Sequence, residues 1–270
     1  MLVETSQLQQ SFSAPSTLPF LIRFFWKIFK IYPLSIFYLI ILELERKNEG
    51  MGVMKAIIFD FDGTLANTLP ICYYAFQNVF KEFDNKDLSS EEIKAMFGPS
   101  ETGIIRENLI NSNTEQAIEM YYKKYLENHS NLVKHNVEID EMIKHLNDNG
   151  IKIGIVTGKA RRSLDISLKA LQMDHLFDVI ITGDDVSNPK PHPEGIIKAL
   201  SLLSVRNNEA MYVGDSDADI QAGIEANVHT VGVRWLQEYQ ASEFNIKPNS
   251  FFNSVNHFIN FLNIGSRHEL

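Results

Sequence analysis

Short apolar runs, each closed by a polar or glycine-bearing cluster, set the rhythm of the chain from residue 55 onward. "KAIIFD" (55–60) runs into "DGT", and "IKIGIVTG" (151–158) ends in Thr-Gly. "FDVIITGDD" (177–185) and "EAMYVGDSD" (209–217) repeat the form, and "VHTVGV" (228–233) gives a fifth run. Continuous apolar runs of this length, bounded by turn residues, predict buried strands. Helical spacing precedes or separates the last four runs, at about 138–148, 161–172, 192–203 and 217–226. Strands apolar on both faces and alternating with helices predict an α/β fold, with a Rossmann-like parallel sheet covered by helices. In such sheets ligands bind beyond the C-terminal strand ends, and the polar clusters sit there. "SFFNSVNHFINFL" (250–262) predicts a short strand or turn and a closing helix.

Between the first and second strands the pattern changes. Residues 69–134 carry apolar positions three and four apart and no convincing alternation, which predicts an all-helical module. "SSEE" (89–92) and "NTEQ" (113–116) have the form of helix starts, and "FGPSE" (97–101) that of a turn. The expected organisation is a catalytic core of 54–68 and 135–262, a helical cap of 69–134 beside the strand-end cleft, and a tail of 263–270.

Residues 1–53 form an N-terminal extension of different character. Residues 1–18 are largely polar and read as disordered, and residues 20–42 are strongly apolar and aromatic. The charge-free stretch 31–42 spans only 12 positions and contains Pro33 and Ser35, short of the roughly 20 apolar residues a spanning helix needs. Arg23, Lys27 and Lys30 lie three and four apart, on one side of a helix. Three readings stand: an interfacial, amphipathic membrane anchor, a segment packed on the protein or a partner, or residues outside the native protein. Met51 and Met54 stand directly before the first strand, so a start there leaves the body complete. Any membrane contact is expected only through residues 20–42.

The chain has 270 residues, is 44% hydrophobic and carries a formal net charge of -9. That is enough apolar content for a full core with a smaller module beside it. Its acidity gives it no general attraction for nucleic acid, so an anionic substrate needs local positive charge. The single cysteine, Cys72, excludes an internal disulfide and fits a reducing, cytoplasmic setting. It is expected to be a structural residue of a helix. Among the histidines, His192 could help hold the loop around Lys190, while His129, His135 and His145 read as surface or hinge residues. Trp235 is expected to pack near the end of the fifth strand.

The chemistry-bearing residues lie at the strand ends. Asp60 closes the first strand, and Asp62 follows in Asp60-Phe61-Asp62-Gly63-Thr64. Two carboxylates so close attract a divalent cation, and magnesium prefers oxygen ligands. Asp-Gly is also an ordinary turn pair, but similar clusters at the other strand ends weaken that explanation. Thr157, with Gly158 and Lys159 following, could hold phosphate oxygens at a helix start, or simply cap the helix. Lys190 lies between Pro189 and Pro191 on a stiff loop, suited to neutralising charge. "GDSDADI" (214–220) ends the fourth strand. Asp215 is the natural third metal ligand, Asp219 could orient Lys190 or a metal-bound water, and Asp217 could serve as a cap.

The order and content of these clusters resemble the haloacid dehalogenase superfamily of phosphatases, over about residues 54–262. The helical insertion after the first motif is similar to the cap of the phosphoglycolate phosphatase, pyrophosphatase and beta-phosphoglucomutase-like branch. The resemblance implies that Asp60 is the nucleophile forming an aspartyl-phosphate, and that Asp62 is the acid for the leaving group and then the base for water. It implies that Thr157, supported by Gly158, binds the transferring phosphoryl group and that Lys190 neutralises its charge. Asp215 would bind Mg2+ with the Asp60 carboxylate and the Asp62 backbone carbonyl, and Asp219 would support them. Asp62 argues against carbon–halogen cleavage, which needs no acid for a leaving oxygen.

The expected partner is a small phosphorylated metabolite or pyrophosphate. Glu101, Arg106 and Arg161, with Arg162 beside it, are the candidates for substrate specificity. Two alternatives remain: a beta-phosphoglucomutase-like phosphotransferase, which would need a bisphosphate activator, and a non-catalytic phospho-ligand binding module.

Overall fold

Six parallel strands form one sheet in the computed structural model, which describes residues 54–265. They are β1 (Ala56–Phe59), β2 (Lys152–Val156), β3 (Val179–Ile181), β4 (Ala210–Gly214), β5 (His229–Val233) and β6 (Ser250–Phe252), in spatial order β3-β2-β1-β4-β5-β6. Ala56 is in register with Lys152 on one side and Ala210 on the other, so β1 is central. The apolar membrane-contact candidate at 20–42 lies outside the described residues. Among the described residues no helix is long and apolar enough to cross a membrane.

Four helices follow β1: α1 (Leu69–Asp84), α2 (Ser90–Lys94), α3 (Glu101–Asn108) and α4 (Thr114–Leu132). Ser89 and Glu92 make the expected reciprocal capping box at the start of α2. At α4 the helix starts one residue into "NTEQ", and Asn113 makes no side-chain cap bond. The insertion is held by an aromatic ladder: Phe76 of α1 lies 4.6 Å from Tyr121 of α4, and Tyr121 stacks on Tyr125 at 5.9 Å. The remaining helices are α5 (Val137–Asp148), α6 (Arg161–Ala170), α7 (Glu194–Leu203), α8 (Asp217–Glu225) and α9 (Val255–Gly265).

The strand period of two sorts the core. Ile57, Phe59, Ile153, Ile155, Met211 and Val213 face α5, α6, α9 and the insertion. Ala56, Ile58, Val156 and Tyr212 face α7 and α8. Both faces are covered along β1 to β5, so these strands read as apolar runs, while β6 at the edge leaves Phe251 exposed. The strands' C-terminal ends, and the loops leaving them, therefore meet on one edge beside the insertion.

Candidate active site

Asp60 follows the last residue of β1, and its N–H bonds to Val213 O of β4 at 2.8 Å, which fixes the side chain's starting point. The chain then turns at Gly63, whose φ of 83° belongs to the left-handed region. A Cβ there would stand 2.2 Å from Asp215 Oδ2, so glycine is needed on two counts. Trp235 donates its indole N–H to Thr64 O at 2.7 Å and pins this turn from the loop after β5.

Lys190 enters from the loop after β3. Its Nζ lies 2.9 Å from Asp60 Oδ1, 2.5 Å from Asp219 Oδ1 and 3.1 Å from the Tyr212 hydroxyl. Asp219, in the first turn of α8, also takes the Ser216 N–H at 3.0 Å and the Ser216 hydroxyl at 2.5 Å. The Tyr212 hydroxyl donates to Val156 O at 2.7 Å. Lysine, tyrosine and aspartate thus form a closed support behind Asp60. Asp215, directly after β4, is fully buried and accepts the Gln240 N–H at 2.5 Å.

Asp60, Asp215 and Asp219 each offer a carboxylate oxygen within 4.8 Å of the others, and all three are buried. Burial pushes the Asp60 carboxyl up from 3.8 to about 6, against the pull of Lys190 and with the help of Asp219. Burial likewise lifts Asp215 well above the usual carboxylate range, and the nearby Asp219 and Asp60 add to it. Burial opposes the Lys190 ammonium, but Asp219 and Asp60 outweigh it and hold the lysine charged. Three carboxylates against one ammonium leave negative charge uncompensated. Asp219 spends its oxygens on Lys190, Tyr212 and Ser216, while Asp60 and Asp215 keep oxygen capacity. A donor set of this kind fits a hard divalent cation such as magnesium.

Beside this cluster lies a cavity of about 280 Å³. Asp60, Asp62, Thr157, Gly158, Lys159 and Lys190 form its core side, and Leu69, Cys72, Phe76, Phe97, Glu101 and Ile104 its wall from the insertion. The Asp62 carboxylate is not in the three-acid cluster. It accepts from the Thr68 hydroxyl and lies 3.2 Å from Lys159 Nζ. Thr157 is buried, and its N–H bonds to Ile181 O of β3 at 3.0 Å.

The arginine candidates are elsewhere. Arg106 pairs with Glu115 at 3.0 Å on the exposed side of the insertion. Arg161 reaches Asp185 at 2.8 Å and Ile180 O at 3.0 Å. Arg162 forks onto Glu119 at 2.5 and 2.9 Å, over the Tyr122 ring. None of the three lines the cavity; each is paired with an acid instead. His129, expected at the surface, is buried and meets the Ser167 hydroxyl at 2.9 Å. Burial and Lys159 press its imidazole down to about 4, so it is neutral. Asp217 holds the loop after β5 by accepting from Asn245 and Ile246 N–H.

Lys159 is a residue that sequence patterning does not single out. Its side chain is fully buried between Asp62 and Glu101. Its one sequence signal is its place in Thr-Gly-Lys at a strand end. Gln240 and Tyr212 carried no signal: the first is a backbone contact from an irregular loop, the second reads as a core aromatic.

Comparison with known proteins agrees with this geometry. The family model for haloacid dehalogenase-like hydrolases matches residues 57–233. The pyrophosphatase PpaX of Bacillus mycoides (strain KBAB4) is 35% identical over 195 residues, covering 72% of this chain and 90% of that protein. PpaX of Bacillus cereus (strain B4264) is 32% identical over 209 residues, 77% of this chain and 96% of that one. Among solved structures, a predicted phosphoglycolate phosphatase from Haemophilus somnus superposes with a TM-score of 0.68 at 23% identity, covering 78% of this chain and 99% of its own. CbbY from Rhodobacter sphaeroides, in complex with phosphate, gives 0.67 at 21% identity over 75% and 95%. At those identities the structures speak for the fold alone. With the aspartate cluster at the strand ends of a capped parallel sheet, and relatives matched over nearly their full length, the chain belongs to the haloacid dehalogenase-like hydrolase family, in its phosphatase-like branch.

Proposed function

We propose that the protein is a Mg2+-dependent phosphatase acting on a small phosphomonoester or pyrophosphate through an aspartyl-phosphate on Asp60. The observation that carries this reading is Asp60 itself, a buried carboxylate on the cavity wall whose Oδ1 lies 2.9 Å from an ammonium held in turn by Asp219.

Asp60 attacks phosphorus, a P–O bond to Asp60 forms, and the P–O bond to the leaving group breaks. Asp62 gives its proton to the departing oxygen. It then takes a proton from water, which attacks phosphorus and breaks the bond to Asp60. Lys190 offsets charge on Asp60 and on the transferring oxygens, and Thr157 and Gly158 hold those oxygens through hydroxyl and amide donors. Asp60 and Asp215, with the Asp62 carbonyl and with Asp219 behind them, would hold magnesium, which supplies charge neutralisation for an anionic substrate. The apolar insertion wall excludes water from the reacting groups.

Pyrophosphate enters because the similar proteins from Bacillus are pyrophosphatases. A cavity of about 280 Å³ suits a compact metabolite equally. A cytoplasmic setting belongs to the same proposal and rests on the single cysteine. The test is phosphate release with magnesium across phosphomonoesters and pyrophosphate, with product analysis. Free phosphate from one or a few compounds is expected. An isomerised sugar phosphate with no free phosphate would replace hydrolysis by a mutase reaction.

A further inference from the structure

Lys159 is a cation with no access to water, and the pair of carboxylates around it comes from two different parts of the chain. Its Nζ lies 3.2 Å from each oxygen of Asp62, on the loop after β1, and 3.3 Å from Glu101 Oε1, on the first residue of α3 in the insertion. The Cys72 sulfur at 3.4 Å and the face of Tyr125 at 4.6 Å complete its surroundings. An ammonium buried this way is tolerable only when its partners are fixed. Asp62 lines the cavity, so it cannot be both the sole counter-charge and a group that turns toward a substrate.

Glu101 supplies the second charge, and it is itself held in place, buried at the start of α3. Its Oε2 accepts the Ala160 N–H at 2.5 Å, and Oε1 accepts the Ser163 hydroxyl. Both oxygens are therefore committed to the start of α6 and to Lys159. A carboxylate tied through both oxygens to α6 and Lys159 is poorly placed to turn toward a substrate, although it lines the cavity.

We infer that Glu101 is a positioning residue that acts through Lys159: it anchors the ammonium, and the anchored ammonium sets the angle of the Asp62 carboxylate opposite the Thr68 hydroxyl. This rests on the proposed role of Asp62 as proton donor to the leaving group: with Glu101 as the standing counter-charge, Asp62 can carry a proton without leaving the Lys159 ammonium unpaired. It replaces the expectation that Glu101 selects the substrate. It also gives the insertion a part in the chemistry, because Glu101 reaches Lys159 only when α3 lies against the start of α6.

The test uses the full chain with magnesium and two probes, phosphoglycolate and p-nitrophenyl phosphate. The alkyl leaving group needs a proton, whereas nitrophenolate leaves without one. Values of kcat/KM, which report steps through the first P–O cleavage, are measured for Glu101→Gln, Lys159→Met, the double variant and Asp62→Asn. The expected result is a loss of roughly 10- to 100-fold on the alkyl ester in each single variant, with a much smaller loss on the aryl ester, as in Asp62→Asn. The double variant should be no worse than Lys159→Met alone, because the two residues act in series. Ser163→Ala, which removes one anchor of Glu101 at little risk to folding, should show the same ester selectivity at a few-fold size.

Equal losses on both esters, or losses that multiply in the double variant, would overturn the inference and make Glu101 a structural staple or a substrate contact. If the unaltered protein releases phosphate from neither ester nor from any compound of the wider panel, the phosphatase reading fails and takes this one with it. If it releases phosphate while Ser163→Ala and Glu101→Gln lose both esters equally, only the positioning role fails.

Discussion

Single residues carry the charge balance of the site, and Asp60 is where it can be measured. In the magnesium-free protein its carboxyl is lifted from 3.8 to about 6, first by burial. The folded state then binds a proton more readily than the unfolded chain, so the Asp60 contribution to stability falls as pH rises from about 4 to about 6. With a chelator at pH 7.5, Asp60→Asn should therefore be more stable than the unaltered protein, by on the order of 1–3 kcal/mol. Thermal unfolding should show that gain shrinking as the pH is lowered to 5. Magnesium should stabilise the unaltered protein at pH 7.5 and the variant much less. A gain that persists unchanged at pH 5 would show that burial of the charge is not its cause. Asp60, Asp62, Lys190, Asp215 and Asp219 were legible in the sequence because each follows an apolar run or a proline-framed loop, and topology brings strand ends together. Lys159 was not, because its partner Glu101 lies in a different module and no spacing rule connects them. The arginines misled for a related reason: sequence shows a cation near the cleft but not the acid that captures it.

At the scale of elements, the turn after β1 is the most constrained piece of the fold. Gly63→Ala would bring a Cβ to 2.2 Å from Asp215 Oδ2 and require a left-handed φ of 83° from alanine. The conformation alone costs about 1–2 kcal/mol, and displacement of Asp215 adds to it. We expect at least a tenfold fall in activity at limiting magnesium, with a weaker stabilising effect of the metal in thermal unfolding. Activity and metal response equal to the parent would mean that the turn has slack the geometry does not show. The strands and most helices were legible, since a sheet buried on both faces leaves uninterrupted apolar runs. The segment between β5 and β6 was not. It has no periodic pattern, yet it sends Trp235 to Thr64 and Gln240 to Asp215. Its order comes from long-range contacts, with Asp217 holding Asn245, and local sequence does not announce those.

For the whole molecule, all the groups assigned to the reaction lie within residues 60–219, beyond the strand ends of a sheet covered on both faces. The similar Bacillus proteins align with 72–77% of this chain. A chain beginning at Met54 is therefore expected to fold, stay in solution and keep its magnesium-dependent phosphate release. An insoluble or inactive product would show that residues 1–53 take part in the fold or the site. The central claim is narrower, that one carboxylate bonds to phosphorus. Its most direct test is phosphate release with magnesium by the full chain against Asp60→Asn, on whichever compound the panel selects. The account predicts that the variant keeps its thermal transition and loses release by three orders of magnitude or about that. Release retained within tenfold by a folded Asp60→Asn protein would contradict it, and would move the nucleophile from Asp60 to water.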